Sequence, residues 1–473
     1  MDKRSQRYII RYAKVRKEKR ADINWLCFFF LFFLFFASFA QEKIEFSGEG
    51  SLIGILSSED IIPFWFHKNT STRIGEFTNG AMYGKSEAKF DWGENNTLKA
   101  GVSLMLRDGI EEEFQRENLF LEYTNNWLKT TLGAKERPIL YNDLSSNNGN
   151  IIWSTNARPM PGLILEAKQP TKISKIFALD WGIAHYSLND DRYVKDTRVH
   201  YKRIGLVVNL NEKHKITGQF QHFAQWAGTS PEYGVLPSDL EAFIDVFFAR
   251  SGDESTAPGE QQNSIGNHLG SYLLDYQFIT KIGNFSAYHE HLFEDGSGTA
   301  LANFPDGVWG ATFQPKKLKV FTMLLYEYVD TSDQSGISGF SGIDNYFSNS
   351  IYRSGWTYEG NIIGTPFITA DDSIDLDLIE KNPTAIINNR VQAHHFGLMG
   401  TFKKIDWLFK TTISNSLGTY GRPFDPSIES WYNYVSFSYE TDKYGIFNII
   451  GGADFSNITD TVIGGGLSYK YVF

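Results

Sequence analysis

The chain has almost no cysteine: a single one, Cys27, among 473 residues. It lies inside an apolar stretch near the amino terminus and is followed by phenylalanines, a context that does not fit a lipid-modified first residue. Beyond that stretch no thiol exists, so neither a disulfide framework nor a thiolate metal site can form, and burial or a bilayer must stabilise the rest. Long apolar runs are just as scarce. After Phe36 none approaches the roughly 20 residues a membrane-spanning helix needs, which excludes a helical membrane protein. Gly-x-Ser-x-Gly turns and other contexts that activate a nucleophile are missing too, so no enzyme is expected.

The amino terminus has its own pattern. Nine Lys or Arg fall in the first twenty residues, Trp25 to Phe36 is unbroken apolar and aromatic, and Ser38-Phe39-Ala40 supplies small residues at the positions a signal peptidase reads. The expectation is a cleavable signal peptide over 1–40 with the cut before Gln41. Removing its nine basic and three acidic side chains from the 45 and 55 of the whole chain leaves 36 against 52, a net charge near −16. Nucleic acid is therefore an unsuitable partner.

What remains is rich in rings and glycine. Aromatics make up 15% of the chain, with 42 glycines and a mean hydropathy of −0.30. That profile fits many strands with an apolar residue at every second position. In the last eleven residues, from Ile463 to Phe473, apolar groups fall at nearly every odd position. From Met82 to Trp92, Met82, Gly84, Ser86, Ala88, Phe90 and Trp92 alternate with Tyr83, Lys85, Glu87, Lys89 and Asp91. Four charges on one strand face need water or partners, which suits a polar lumen. The alternation recurs at Leu98, Ala100, Val102, Leu104 and Leu106, and at Val320, Thr322, Leu324, Tyr326 and Tyr328.

About eighteen such strands are expected, beginning near residues 44, 82, 97, 116, 127, 161, 176, 200, 214, 267, 283, 304, 317, 391, 405, 430, 443 and 460. Their connections alternate between short, as at Gly93-Glu94-Asn95-Asn96 or Asn125-Asn126, and long, with large loops near 137–160, 227–266 and 331–390. Tight periplasmic turns opposite longer extracellular loops mark an outer-membrane barrel; a propeller or a row of sandwiches would not confine its short turns to alternate connections. The predicted fold is all-β, a single transmembrane antiparallel outer-membrane β-barrel over 41–473. Trp127, Trp407 and Phe285 follow short turns, where an inner aromatic girdle belongs. Outer-membrane lipids and lipopolysaccharide would surround such a wall. The terminal strand ending on Phe473 would be what the barrel-assembly machinery reads.

His394 and His395 are adjacent on a predicted strand and point to opposite faces, so they cannot chelate one ion. His289 and His291 share a face without a third ligand and read as lumen-lining. No metal and no cofactor are expected. Two loop segments differ in kind. One runs from Leu144 through Trp153, Ser154, Asn156, Arg158, Pro159 and Pro161; the other carries Tyr346, Phe347, Tyr352, Arg353, Trp356 and Tyr358. Asn and Ser hydrogen-bond hydroxyls, Arg donates in a fixed fork, and an indole offers a flat face to a sugar ring. Turn chemistry explains much of the same composition without a ligand. A loop this rich in rings is expected to be ordered, folded inward or over the mouth.

The chain resembles the capsule assembly protein Wzi family, in the form common among Bacteroidetes. The resemblance rests on Pro63-Phe64-Trp65-Phe66, the Ser-x-Asn-Ala-Arg-Pro-x-Pro run over 154–161, the 346–358 stretch continuing to Gly364-Thr365-Pro366, and Asn388-Asn389-Arg390 with His394-His395. It implies a barrel that holds capsular or extracellular polysaccharide at the cell surface, lectin-like and non-catalytic. The competing reading is a porin-type channel for saccharides. The first strand starts close to the leader, leaving little room for an N-terminal periplasmic domain. The expected sugar-facing residues are Trp153, Arg158, Tyr346, Arg353, Trp356, Tyr358 and Arg390.

Overall fold

The computed structural model describes residues 44–252, 264–335, 344–371 and 384–473. The expected signal peptide over 1–40 lies outside the described residues. Eighteen long strands run β1 (Ile44–Ser57), β2 (Gly80–Trp92), β3 (Asn96–Arg107), β4 (Phe114–Thr124), β5 (Leu128–Ala134) and β6 (Gly162–Ala167). They continue with β7 (Phe177–Leu188), β8 (Thr197–Asn211), β9 (His214–Trp226), β10 (Asn267–Ile279), β11 (Gly283–Phe293) and β12 (Gly307–Pro315). The remainder are β13 (Met323–Asp330), β14 (Val391–Phe402), β15 (Ile405–Gly418), β16 (Pro423–Thr441), β17 (Gly445–Ser456) and β18 (Val462–Val472). Each pairs antiparallel with its neighbours, and β1 closes on β18, with Glu49 opposite Val472 and Ser57 opposite Gly464. Closure pairs the first strand with the last, so the sheet carries its ladder all the way round, as a bilayer-spanning sheet requires.

The alternation in sequence becomes the two faces of this wall. Leu52, Leu56, Met82, Leu206, Leu274, Ile413, Ile449 and Leu467 point outward and stay exposed, as a lipid-facing band requires. Inward charges pair across strands: Lys99 on β3 with Glu87 on β2, and Arg203 on β8 with Glu166 on β6 and Asp180 on β7 at 2.8 and 2.9 Å. At the end carrying the short turns, Trp127 lies 6.5 Å from Trp181, Phe285 lies 4.5 Å from Phe313, and Trp407 meets Phe321 edge-on, forming an aromatic girdle. Among the described residues, no helix is long and apolar enough to cross a membrane.

Three expectations need correction. Val320 and Thr322 precede β13; the chain there makes only isolated bonds to β14, such as Thr322 N–H to the Met399 carbonyl at 2.9 Å. The alternation of connection lengths is not strict, because β15 and β16 are joined through the tight turn 419–422 on the long-loop side. His289 and His291 face outward, not into the lumen. Glu290 between them takes the inner face, and His289 stacks on Trp309 of β12 with ring centroids 3.7 Å apart.

Among the described residues, helices are few and short. α1 (Phe64–His67) lies in the first long loop, α2 (Leu240–Phe248) between β9 and β10, and α3 (Gly296–Thr299) after β11. Asp239 caps α2 by accepting from Ala242 N–H. This helix packs on the outside of the wall, where Lys202 of β8 donates to the Phe247 carbonyl and Phe243 meets His185 and His200.

Candidate functional site

Eighteen strands enclose a lumen wide enough for water unless something fills it. Here the loops from the long-connection side fold in. The segment between β5 and β6 enters first, and two buried carboxylates on the inner wall hold it. Glu327 of β13 accepts from Ser145 Oγ at 2.6 Å, from Ser146 Oγ and N–H at 2.5 and 2.7 Å, and from Tyr288 Oη at 2.6 Å. Glu290 of β11 accepts from Ile151 N–H at 2.8 Å and from Gln221 and Ser271. Charge-assisted bonds of this kind are the stronger class, and a buried carboxylate without them would be costly. On the other side, His395 Nε2 donates to the Leu144 carbonyl at 2.7 Å, which leaves Nδ1 facing Thr412 Oγ1.

The described part of the loop between β13 and β14 lies against this first segment. Trp356 Nε1 donates to the Ile152 carbonyl at 2.6 Å, Thr365 N–H to Ile151 at 2.8 Å, and Ser154 N–H to Ile363 at 3.0 Å. The approach is close enough to require glycine: a Cβ on Gly364 would stand 2.4 Å from the Ile151 carbonyl oxygen and 2.6 Å from the Phe347 ring. α1 completes the filling. Trp65 donates to Thr412 at 3.1 Å, and Phe64 stacks on Tyr432 of β16 at 4.1 Å. One apolar core results, joining wall residues Tyr201, Phe223, Leu269 and Val329 to loop residues Ile151, Tyr346, Trp356 and Ile386.

Within this plug the seven residues singled out in sequence take different places. Tyr346, Trp356 and Tyr358 are enclosed by protein. Tyr346 Oη donates to Asp306 at 2.9 Å, and Tyr358 Oη to Asn189 at 2.8 Å. These rings pack the interior, and presenting a face to a saccharide would require the segment to leave the lumen. Trp153 is half-buried, edge-on to Tyr186, Tyr201 and Phe223, with the Arg137 guanidinium 4.8 Å above its ring. Arg353 pairs with Glu232 of the β9–β10 loop and lies over Tyr193. Arg390 lies 3.9 Å over Tyr420 and donates to the Ser332 carbonyl. Arg158 pairs with Glu359, lies over Tyr358 and donates to the Arg116 carbonyl at 3.1 Å. The structure thus brings Arg158 and Tyr358 together and leaves Arg353 and Arg390 at separate points of the mouth.

Residues that sequence alone did not single out carry much of the arrangement. Glu290 and Glu327 anchor the plug; the signal for Glu327 was an acidic residue alternating with Met323, Leu325 and Val329 on one strand face, while Glu290 was hidden by reading His289 and His291 as the lumen face. Arg107 and Arg116 stand beside Arg158, and nothing in their local sequence distinguished them. In the loops, burial raises Asp306 to about 7 and Asp344 to about 8, the latter helped by neighbouring Asp295. Among the described residues no group of three or more His, Cys, Asp or Glu is placed to hold a metal ion.

A sequence model of the capsule assembly protein Wzi family matches residues 80–379, from the start of β2 into the β13–β14 loop. The chain belongs to that family. Among solved structures it is similar to Wzi of Escherichia coli, described as an outer-membrane protein involved in group 1 capsule assembly and a carbohydrate-binding β-barrel. That match has 12% identity and a TM-score of 0.56, covering 89% of this chain and 83% of that one. It is also similar to OpdO of Pseudomonas aeruginosa, with 10% identity and a TM-score of 0.50 over 91% of this chain and 97% of that one. At these identities the likeness shows the fold, an outer-membrane-type β-barrel. No curated protein matches the sequence.

Proposed function

We propose that this Wzi-family barrel binds and anchors capsular or extracellular polysaccharide at the cell surface, lectin-like and without catalysis. One observation carries the reading: the outer half of the lumen is filled by loops held through buried hydrogen bonds to Glu290 and Glu327, an arrangement suited to display and poorly suited to passage. Family membership and the carbohydrate binding described for the Escherichia coli protein support the same reading. Export by the leader over 1–40, with lipid and lipopolysaccharide around the wall and insertion by the barrel-assembly machinery reading the strand that ends on Phe473, belongs to this proposal.

Of the residues singled out in sequence, Arg158 is the one we place in contact with ligand. Trp153, Arg353 and Arg390 shape the mouth, and Tyr346, Trp356 and Tyr358 support it from within. The test is a deletion strain complemented with the wild-type chain. Polysaccharide should be shed to the medium without the protein and retained with it, at equal total synthesis. Retention unchanged by the deletion would sink the proposal.

A further inference from the structure

β4 rises above its neighbour. Leu119 is the last residue of β4 paired to β5, opposite Ala134, so 114–118 have no β5 partner. Arg158 reaches this free edge, donating to the Arg116 carbonyl at 3.1 Å, and pairs with Glu359 in the short hairpin formed by Thr357–Tyr358 and Asn361–Ile362. Arg107, the last residue of β3, donates from Nη2 to Gln115 Oε1 at 2.8 Å, one residue before Arg116. Three guanidinium groups therefore share one corner of the mouth.

Their local neutralisation is incomplete. Glu359 pairs with Arg158. Glu117 is taken by Arg73 at 2.7 Å, and Glu112 reaches Arg107 only through Gln115. Arg107 is 5% exposed, yet its Nε and Nη1 have no partner; nor does Nε of Arg158. Buried guanidinium N–H groups are normally satisfied, because leaving one unmade forfeits its solvation. A planar fork with free donors is matched by the two oxygens of a carboxylate.

We propose that Arg107, Arg116 and Arg158 form a receptor for a carboxylate of the surface polysaccharide, a uronate-type group, with Glu359 holding Arg158 until the ligand takes its place. This rests on the polysaccharide-anchoring reading and deepens it. It also accounts for how a barrel of net charge near −16 after leader removal can hold an acidic polymer: long-range repulsion is screened beyond about 8 Å at physiological salt, while the arginine forks act on the carboxylate at contact distance.

The test uses the full folded barrel in detergent and the producing strain's purified capsular polysaccharide, native and after chemical reduction of its carboxylates to alcohols. Folding of each variant is checked by heat-modifiable migration. Wild type should bind the native polymer at least about tenfold more tightly than the reduced one, the scale of a charge-assisted bond. Arg107→Gln or Arg158→Gln should abolish that difference, and Glu359→Gln should strengthen native binding. If Arg107→Gln fails to fold, Arg158→Gln and the partial rescue expected from Arg158→Lys decide the matter. Equal binding of both polymers, or a preference for the native one untouched by the substitutions, overturns the carboxylate receptor and leaves polysaccharide anchoring standing. No binding of either polymer by wild type overturns both. Arginine-dependent binding of purified lipopolysaccharide alone would reassign the cluster to a lipid phosphate and overturn this proposal.

Discussion

Trp356 and Ile152 belong to different loops, and the 2.6 Å hydrogen bond from the indole Nε1 to the Ile152 carbonyl joins them inside the barrel. The indole also meets Phe223 of β9 at 5.3 Å, so one side chain ties both inward loops to the wall. Replacing it with alanine removes the largest fully buried side chain and should destabilise the plug by about 3–5 kcal/mol. Trp356→Phe keeps most of the packing and leaves the carbonyl unpaired, at about 1–3 kcal/mol. Thermal unfolding of the two variants should show that order. Equal, small shifts would mean the indole is peripheral.

Glu327 holds the other end. It receives four donors from Ser145, Ser146 and Tyr288, so Glu327→Ala leaves several buried groups unmatched, each costing about 1–3 kcal/mol. The wall strands keep their ladder. The expected phenotype is a folded barrel with a released 137–160 segment, read as new protease cleavage there. Cleavage no faster than in wild type would show that the carboxylate does not retain the loop.

A pH dependence follows from Asp306 and Asp344, raised by burial to about 7 and about 8 from an unfolded value of about 3.9. Between these limits the unfolded chain releases protons that the folded loops keep. Stability therefore falls as pH rises from about 4 to about 8 and levels off above that. The melting midpoint should be higher at pH 5 than at pH 8.5, and Asp344→Asn should flatten the slope. A slope of opposite sign, or one unchanged in the variant, would contradict the assignment.

Much of the barrel was legible because a strand with lipid on one side and water on the other must alternate. The starts expected near 44, 267, 283, 391 and 405 coincide with the observed strands to within a residue, since polar turns and one-sided apolar patterns bound each. β13 began later than expected because alternation continues through Val320 and Thr322, where the pairing is irregular. That the aromatic loop lies inward or over the mouth was legible; which of the two, and the burial of Tyr346, Trp356 and Tyr358, was not. Asn, Ser, Arg and aromatic residues serve equally to touch a sugar or to pack a polar lumen, and only the fold shows which faces are covered. The arginine corner escaped for a related reason: Arg107 and Arg116 lie on two strands, Arg158 on a loop, and their meeting depends on the free edge of β4.

We propose a barrel that is closed by its own loops and holds polysaccharide instead of passing solutes. Single-channel recording of the purified barrel in planar bilayers, with and without the producing strain's surface polysaccharide, tests it most directly. Wild type should be silent in both conditions. Steady large conductance steps that the polysaccharide blocks would contradict it and make the protein a saccharide channel.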